Sequence, residues 1–294
     1  MTSEFDPAAF DDFEAEAWDR PGMARRYDAF LAHITDRLIE RLLDAAGVGA
    51  GDSVVDVGCG PGHAAARAAA RGARVVGVDG SAEMVSHAAA TVPHVLFCRA
   101  DGRDLPLAAC SVDAVVGNFV IFHIGEPGLA IAEFRRVLAP GGRVALTRWD
   151  APERCRLLGV LVEAAGTATG DQPSSVPDGP AFFQPDEAVA ALLVSGGLVD
   201  VAVERITFTH RAADAEGVWL GLLSSTVRMA AVLQDLAPDV REQIRGVFTS
   251  RLAQYRRGDV LEVPVSVQLA HGRVPRRRDR SAGCPLVPWG RMTG

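Results

Sequence analysis

The chain has 294 residues, 48% of them hydrophobic and 23% charged, enough for one large domain or one domain with a sizeable elaboration. Its formal net charge of -7 disfavours nucleic acid as a partner. All of its 30 cationic residues are arginine, which excludes a lysine Schiff base or a phosphate-loop lysine.

The five cysteines (Cys59, Cys98, Cys110, Cys155 and Cys284) are scattered, with neither disulfide-framework nor zinc-ligand spacing, and this fits a reducing cytoplasm. Residues 1–19 hold seven acids and no base, with Phe5, Phe10, Phe13 and Trp18 interleaved. The stretch lacks the basic n-region of a signal peptide. No run in the chain approaches the ~18 apolar residues of a membrane span. The acidic stretch reads either as a loosely docked arm or as a lid that brings aromatics over a site. In "MARRYDAFLAHITDRLIERLLDAAG", Tyr27, Phe30, Ile34, Leu38 and Leu42 recur at helical spacing and predict a helix closed by Gly47 and Gly49. Residues 1–49 are thus expected to form an arm and a helix on the substrate side.

From Asp52 the texture alternates. The strands "SVVDV", "RVVGVD", "HVLFCRA", "VDAVVGNFV" and "RVALTRW" are separated by a glycine turn and by the predicted helices "HAAARAAARG", "SAEMVSHAAA" and "PGLAIAEFRRVL". Alternation of this kind implies an α/β fold, doubly wound about a mostly parallel sheet, with ligands outside the carboxyl ends of the strands. Residues 50–150 are its binding core. Residues 150–185, rich in Gly, Pro, Ser and Thr, read as a long connection. "DEAVAALLVSGG" predicts a helix, "VDVAVERITFTH" a strand, and "VLEVPVSVQLAH" a final strand. Residues 214–257 look helical, so the C-terminal part of the sheet (151–273) carries a helical cap inserted between its last two strands. The arginine-rich residues 274–294 read as a disordered tail, because a charge run alone does not make a nucleic-acid arm.

The site centres on "VVDVGCGPGH". Gly58, Gly60 and Gly62 follow an apolar strand and open a helix, with Cys59 as a small residue beside the turn; glycines there let a ligand approach the main chain. Asp79 ends the second strand, followed by Gly80, at the interval where an acid accepts from ribose hydroxyls. Asp101 and Gly102 follow the third strand, and Asn118 ends the fourth. Asp56 discriminates between ligands. A dinucleotide would set its pyrophosphate at this turn, where a carboxylate repels it; an ammonium or a sulfonium would be attracted. At ~4 Å such a charge pair is worth roughly 1 kcal/mol in water and several-fold more in a drier cleft. The expected ligand is therefore an amino-acid-bearing adenosine and not a nicotinamide dinucleotide. Asp79 would hold the ribose and Asp101 the adenine amino group. Met84 either covers the purine or fills core.

The motifs "VVDVGCGPG", "VVGVDGSAEM", "RADGRDLPL", "DAVVGNFVIFHI" and "RVLAPGGRVALTRWD", in this order, resemble the class I S-adenosylmethionine-dependent methyltransferases, in their small-molecule branch related to ubiquinone-biosynthesis methyltransferases. The resemblance covers residues 50–150. It implies a seven-stranded Rossmann-like sheet with the last strand antiparallel, S-adenosylmethionine as cofactor and S-adenosylhomocysteine as product. It also implies cofactor contacts at Asp56, Gly58, Gly60, Asp79, Asp101 and Asn118.

Methyl transfer from a sulfonium is an in-line displacement to which proximity contributes much. His123, just past the fourth strand, is the candidate base, with a structural histidine as the alternative. Tyr27, Arg148 and Trp149 are candidate acceptor contacts; Arg148 could bind a carboxylate, and Trp149 could equally close the core. No metal pattern appears. The fourth strand lacks the Asn/Asp-Pro-Pro-aromatic signature used on adenine amino groups, and no Pro-Cys pair stands where cytosine enzymes use one. The acceptor is therefore expected to be a small, partly apolar molecule, with no nucleic-acid or membrane partner; a homodimer is compatible with the sequence. The alternative is an enzyme of the same fold that keeps S-adenosylmethionine without transferring its methyl, of cyclase or decarboxylase type.

Overall fold

The computed structural model describes residues 5–169, 176–177 and 187–276. Five strands form the parallel half of the sheet: β1 (Ser53–Val57), β2 (Arg74–Asp79), β3 (Leu96–Arg99), β4 (Val112–Asn118) and β5 (Leu138–Trp149). β1 is buried along its whole length, as a central parallel strand of β-branched residues should be. Its register sets Asp56 beside Gly77 of β2 and Val116 of β4.

The sheet continues with β6 (Val199–Ala212) and β8 (Val260–Arg273), in the order β3-β2-β1-β4-β5-β8-β6. β8 runs antiparallel to both neighbours, so the expected sheet with an antiparallel last strand is found. The two-residue strand β7 (Arg256–Arg257) adds a small hairpin to β8. Helices α5 (His63–Ala70), α6 (Ala82–Thr91) and α7 (Pro127–Val137) make the crossovers. Ser81 caps α6, its side chain accepting from the Met84 N–H. Helix α9 (Ala188–Ser195) precedes β6, and α10 (Ala215–Ser225), α11 (Arg228–Asp235) and α12 (Pro238–Leu252) form the cap between β6 and β8.

Two expectations are corrected. The helix read through residues 23–46 is broken into α2 (Met23–Ala29), α3 (Ala32–Thr35), a 3-10 turn (Asp36–Leu38) and α4 (Ile39–Ala45). Phe30 leaves the helical region at φ -137° and ψ -70°, and its ring meets α10 of the cap at Gly221. The apolar spacing survives the breaks because the chain bends around the sheet while keeping the same face inward. The connection after residue 150 contains α8 (Arg156–Thr169). Its Leu157, Leu158, Val160, Leu161 and Ala164 are buried, and the Gly, Thr and Pro content of the wider stretch hid this run. Among the described cysteines, Cys59, Cys98 and Cys155 are free thiols. The predicted disordered tail falls almost wholly outside the described residues.

The acidic N-terminal stretch contains helix α1 (Pro7–Trp18), started by Asp6, which accepts from the N–H groups of Ala8 and Ala9. It is docked. Asp11 accepts from Arg103 at 2.5 Å and from the Gly125 N–H at 2.7 Å. Asp19, just past its end, accepts from Ser81 Oγ at 2.9 Å.

Gly221 marks the tightest contact between cap and N-terminal helices. A Cβ there would sit 2.2 Å from the Phe30 ring. Gly221→Val is expected to lower stability by about 1–3 kcal/mol through overpacking, read as a fall in the thermal midpoint of the ligand-free protein.

Candidate active site

The carboxyl ends of β1, β2 and β4 open into a cavity of 960 Å³ that also reaches the end of β5. That is the top of the roughly 300–1,000 Å³ range of small-molecule sites. One half is polar and follows the glycine turn. The other is apolar, walled by Leu158 and Leu161 of α8, Val232 and Leu233 of α11, and Phe119 and Trp149. Helix α1 covers the junction with Asp11, Glu14 and Trp18.

Of the residues singled out in the sequence, Asp56, Gly58, Cys59, Gly60, Asp79, Gly80, Met84, Asp101, Gly102, Asn118, His123, Tyr27 and Trp149 all border this cavity. Gly62 and Arg148 do not. Gly62 starts α5 at φ 91° and lies against Phe97, which a Cβ would approach to 2.9 Å; it serves packing. Arg148 is corrected outright. Side chains alternate along β5, so Trp149 faces the cavity while Arg148 turns away from it. There its Nε donates to Gln268 at 2.6 Å and its guanidinium lies 5.4 Å from the centre of the Phe122 ring.

Asp56 is 1% exposed, and neither carboxylate oxygen has a hydrogen-bond partner among the described residues. Burial pushes its pKa up to about 7; the Ala65 N–H and His63 offset this in part, and Asp79 adds to it. The glycines beside it differ in purpose. At Gly58 (φ 64°) a Cβ would lie 2.2 Å from Val120, so the residue is glycine for the fold. At Gly60 (φ 51°) a Cβ would meet nothing within 4 Å and would project into open space. Asp79 accepts from the Gly60 and Ser81 N–H groups, both at 2.9 Å, which fixes its carboxylate at the cavity edge. Burial raises its pKa against these bonds. Cys59 has its thiol pushed up by burial, which suits a packing residue and not a nucleophile.

Asn118 is tied by its own bonds: Oδ1 accepts from Thr147 Oγ1 at 2.6 Å and Nδ2 donates to the Thr35 carbonyl at 3.3 Å. Asp101 sits on the rim in a bidentate clamp from Arg103. Burial opposes ionisation, but the Arg103 clamp outweighs it and holds the carboxyl below its usual range. Met84 borders the cavity and joins a buried cluster with Met23 and Val227. Tyr27 meets Thr35 Oγ1 at 3.2 Å, and burial pushes its hydroxyl up to about 12. Trp149 stacks on Phe119 at 4.3 Å.

Sequence reasoning missed four participants. Glu14 binds His123 Nδ1 at 2.8 Å. Trp18 meets the same imidazole edge-on at 5.4 Å. Arg103 ties Asp101 to Asp11. Phe119 sits at φ 64°, a backbone conformation rare outside glycine and typical of functional sites. Only the aromatic residues interleaved among acids in the arm hinted at the first two.

Residues 55–146 match a methyltransferase domain family. A demethylmenaquinone methyltransferase from Beutenbergia cavernae is 32% identical over 199 residues, 63% of this chain and 83% of that enzyme. A trans-aconitate 2-methyltransferase from Azoarcus is 42% identical over 96 residues, 32% of this chain and 38% of that enzyme. The matched segment spans half or less of several other curated relatives. In fold, the chain is similar to the phosphoethanolamine N-methyltransferase 2 of Haemonchus contortus solved with S-adenosyl-L-methionine, at TM-score 0.54 and 19% identity over 91% of this chain and 60% of that one.

The chain belongs to the class I S-adenosylmethionine-dependent methyltransferases, and its cofactor is S-adenosylmethionine. The residues present fit that group. A buried carboxylate without a partner, Asp56, suits an ammonium, and the open space over Gly60 leaves room for a ligand against the main chain.

An ammonium ligand binds the ionised form of Asp56. The dissociation constant for S-adenosylmethionine is therefore expected to rise as pH falls below about 7, approaching tenfold per unit. Calorimetry across pH reads this, with proton release on binding near pH 6. Without ligand the sign reverses for stability. The folded chain holds this proton more tightly than the unfolded chain, whose ordinary value is 3.8, so stability falls as pH rises toward 7. Asp56→Asn is expected to stabilise the ligand-free protein at pH 8 by roughly 1–3 kcal/mol while weakening cofactor binding; thermal melts and calorimetry on one sample measure both.

Proposed function

We propose that this chain transfers a methyl group from S-adenosylmethionine to a small, largely apolar acceptor, with His123 taking up the acceptor's proton. The observation that carries the reading is the continuity of the cavity. The unpartnered Asp56 and the glycine turn lie at one end, an apolar chamber at the other, and His123 borders the same space.

S-adenosylmethionine supplies an electrophilic methyl group on a cationic sulfur when bound. The protein's part is then to bind, orient and exclude water. Asp56 meets the ammonium, and Asp79, held by two backbone N–H groups, accepts from the ribose. Asp101 on the rim and Met84 serve the adenine. Trp149, Phe119, Leu158 and Leu161 keep the acceptor end dry, which strengthens every charge interaction inside. Seven carboxylates border the cavity (Asp11, Asp12, Glu14, Asp36, Asp56, Asp79 and Asp101), and they disfavour a polyanionic acceptor. Tyr27 and Trp149 remain the acceptor contacts; Arg148 leaves the list because it faces away.

Purified protein incubated with S-adenosylmethionine and a panel of quinols and phenols, demethylmenaquinone first, is expected to form S-adenosylhomocysteine and methylated acceptor in equal amounts, read by mass spectrometry. Acceptor conversion without S-adenosylhomocysteine would move the chain to the cyclase or decarboxylase alternative. Asp79→Ala should weaken cofactor binding at least about tenfold. His123→Ala should cut turnover by roughly 10²–10⁴ at unchanged cofactor affinity; full turnover in that variant would return His123 to a structural role.

A further inference from the structure

We infer that Glu14, on the N-terminal helix α1, is the positioning residue that makes His123 a base, so that the base is assembled only when α1 covers the cavity. The inference rests on the reading of His123 above. Glu14 is 4% exposed, and its Oε2 lies 2.8 Å from His123 Nδ1 and accepts from Trp18 Nε1, also at 2.8 Å. An ionised carboxylate can only accept. Nδ1 of the neutral imidazole therefore carries the hydrogen, and Nε2 keeps the lone pair that a base needs. The same carboxylate then stabilises the imidazolium once Nε2 has taken a proton.

Docking of α1 does not explain Glu14. The helix is already anchored by Asp11 on Arg103 and Gly125, and by Asp19 on Ser81 and on the Glu83 N–H at 3.2 Å. The second oxygen of Glu14, Oε1, is buried with no hydrogen-bond partner among the described residues, and the residue borders the cavity. A buried acceptor left bare is destabilising, and an anchor could have been built without that cost. A donor on a bound acceptor can complete it.

The substrate class follows. A base is of use to an acceptor that becomes a nucleophile by losing a proton, a hydroxyl or an acidic carbon, and not to one that attacks with a ready lone pair, such as a neutral amine. The proton passes from that hydroxyl or carbon to Nε2, its electron pair stays on the acceptor atom, and the imidazolium returns the proton to solvent. Among the described residues, the charged groups around His123 include Glu14 from α1, Asp79 at the end of β2, whose carboxyl feels the His123 charge, and the Asp11–Arg103–Glu126 cluster beside Gly125.

The test needs no acceptor. The full chain, labelled with ¹⁵N-histidine and saturated with S-adenosylhomocysteine, is examined by long-range ¹H–¹⁵N correlation, with the His123 ring assigned by its loss in His123→Gln. In the wild type the neutral ring is expected to carry its hydrogen on Nδ1. In Glu14→Gln the new amide can donate to Nδ1, so the hydrogen moves to Nε2. Trp18→Phe, which removes the other bond to Glu14 but keeps the carboxylate, is expected to retain the wild-type tautomer. A wild-type ring with its hydrogen on Nε2, or a tautomer unchanged by Glu14→Gln, overturns the inference. Calorimetry with S-adenosylhomocysteine on the same samples reports separately on the cofactor reading.

Discussion

A parallel sheet cannot cover its own carboxyl edge. Every crossover leaves through that edge, so β1, β2, β4 and β5 end together and set Asp56, Asp79, Asn118 and Trp149 around one opening. Whatever shields a carboxylate there must come from outside the βαβ units. In this chain the cover is α1 and the broken helices that follow it, together with α8 and the cap helix α11.

Acids hold much of the cover in place. Asp11 reaches Arg103, Asp19 reaches Ser81 and Arg99, Asp28 reaches His87, and Asp36 reaches His63 and Arg67. Each pair spans from the N-terminal region to the core. Exposed ion pairs contribute little singly, but these are mostly half-buried and act on short elements that would not hold their shape alone. Two of the seven acids in residues 1–19, Asp11 and Asp19, are thus anchors that hold a helix bordering the cavity.

The central fold was legible because each of its rules is local. Five apolar runs with helices between them specify a parallel sheet. The turn at Gly58–Gly60 and the acids Asp56 and Asp79 specify the ligand edge through spacing alone. What was not legible depends on distance in the chain. Nothing near Glu14 announces His123, 109 residues away. Arg148 sits between two residues that face the cavity side, and only the strand's register reveals that it points the other way. Phe30 has helical spacing yet ends a helix, because Gly221 accepts its ring. Helix α8 was obscured by composition: its apolar face lies inside a Gly-, Pro- and Thr-rich stretch that reads as connection.

The carboxylates of the cavity divide by whether they are satisfied. Asp79, Asp101 and Asp11 have their oxygens committed to backbone N–H groups or to Arg103, and they shape the site. Asp56 has neither oxygen committed, and Glu14 has one left over. An unsatisfied buried carboxylate is a cost to the closed, ligand-free protein. A cationic ligand that pairs with Asp56 would remove that cost.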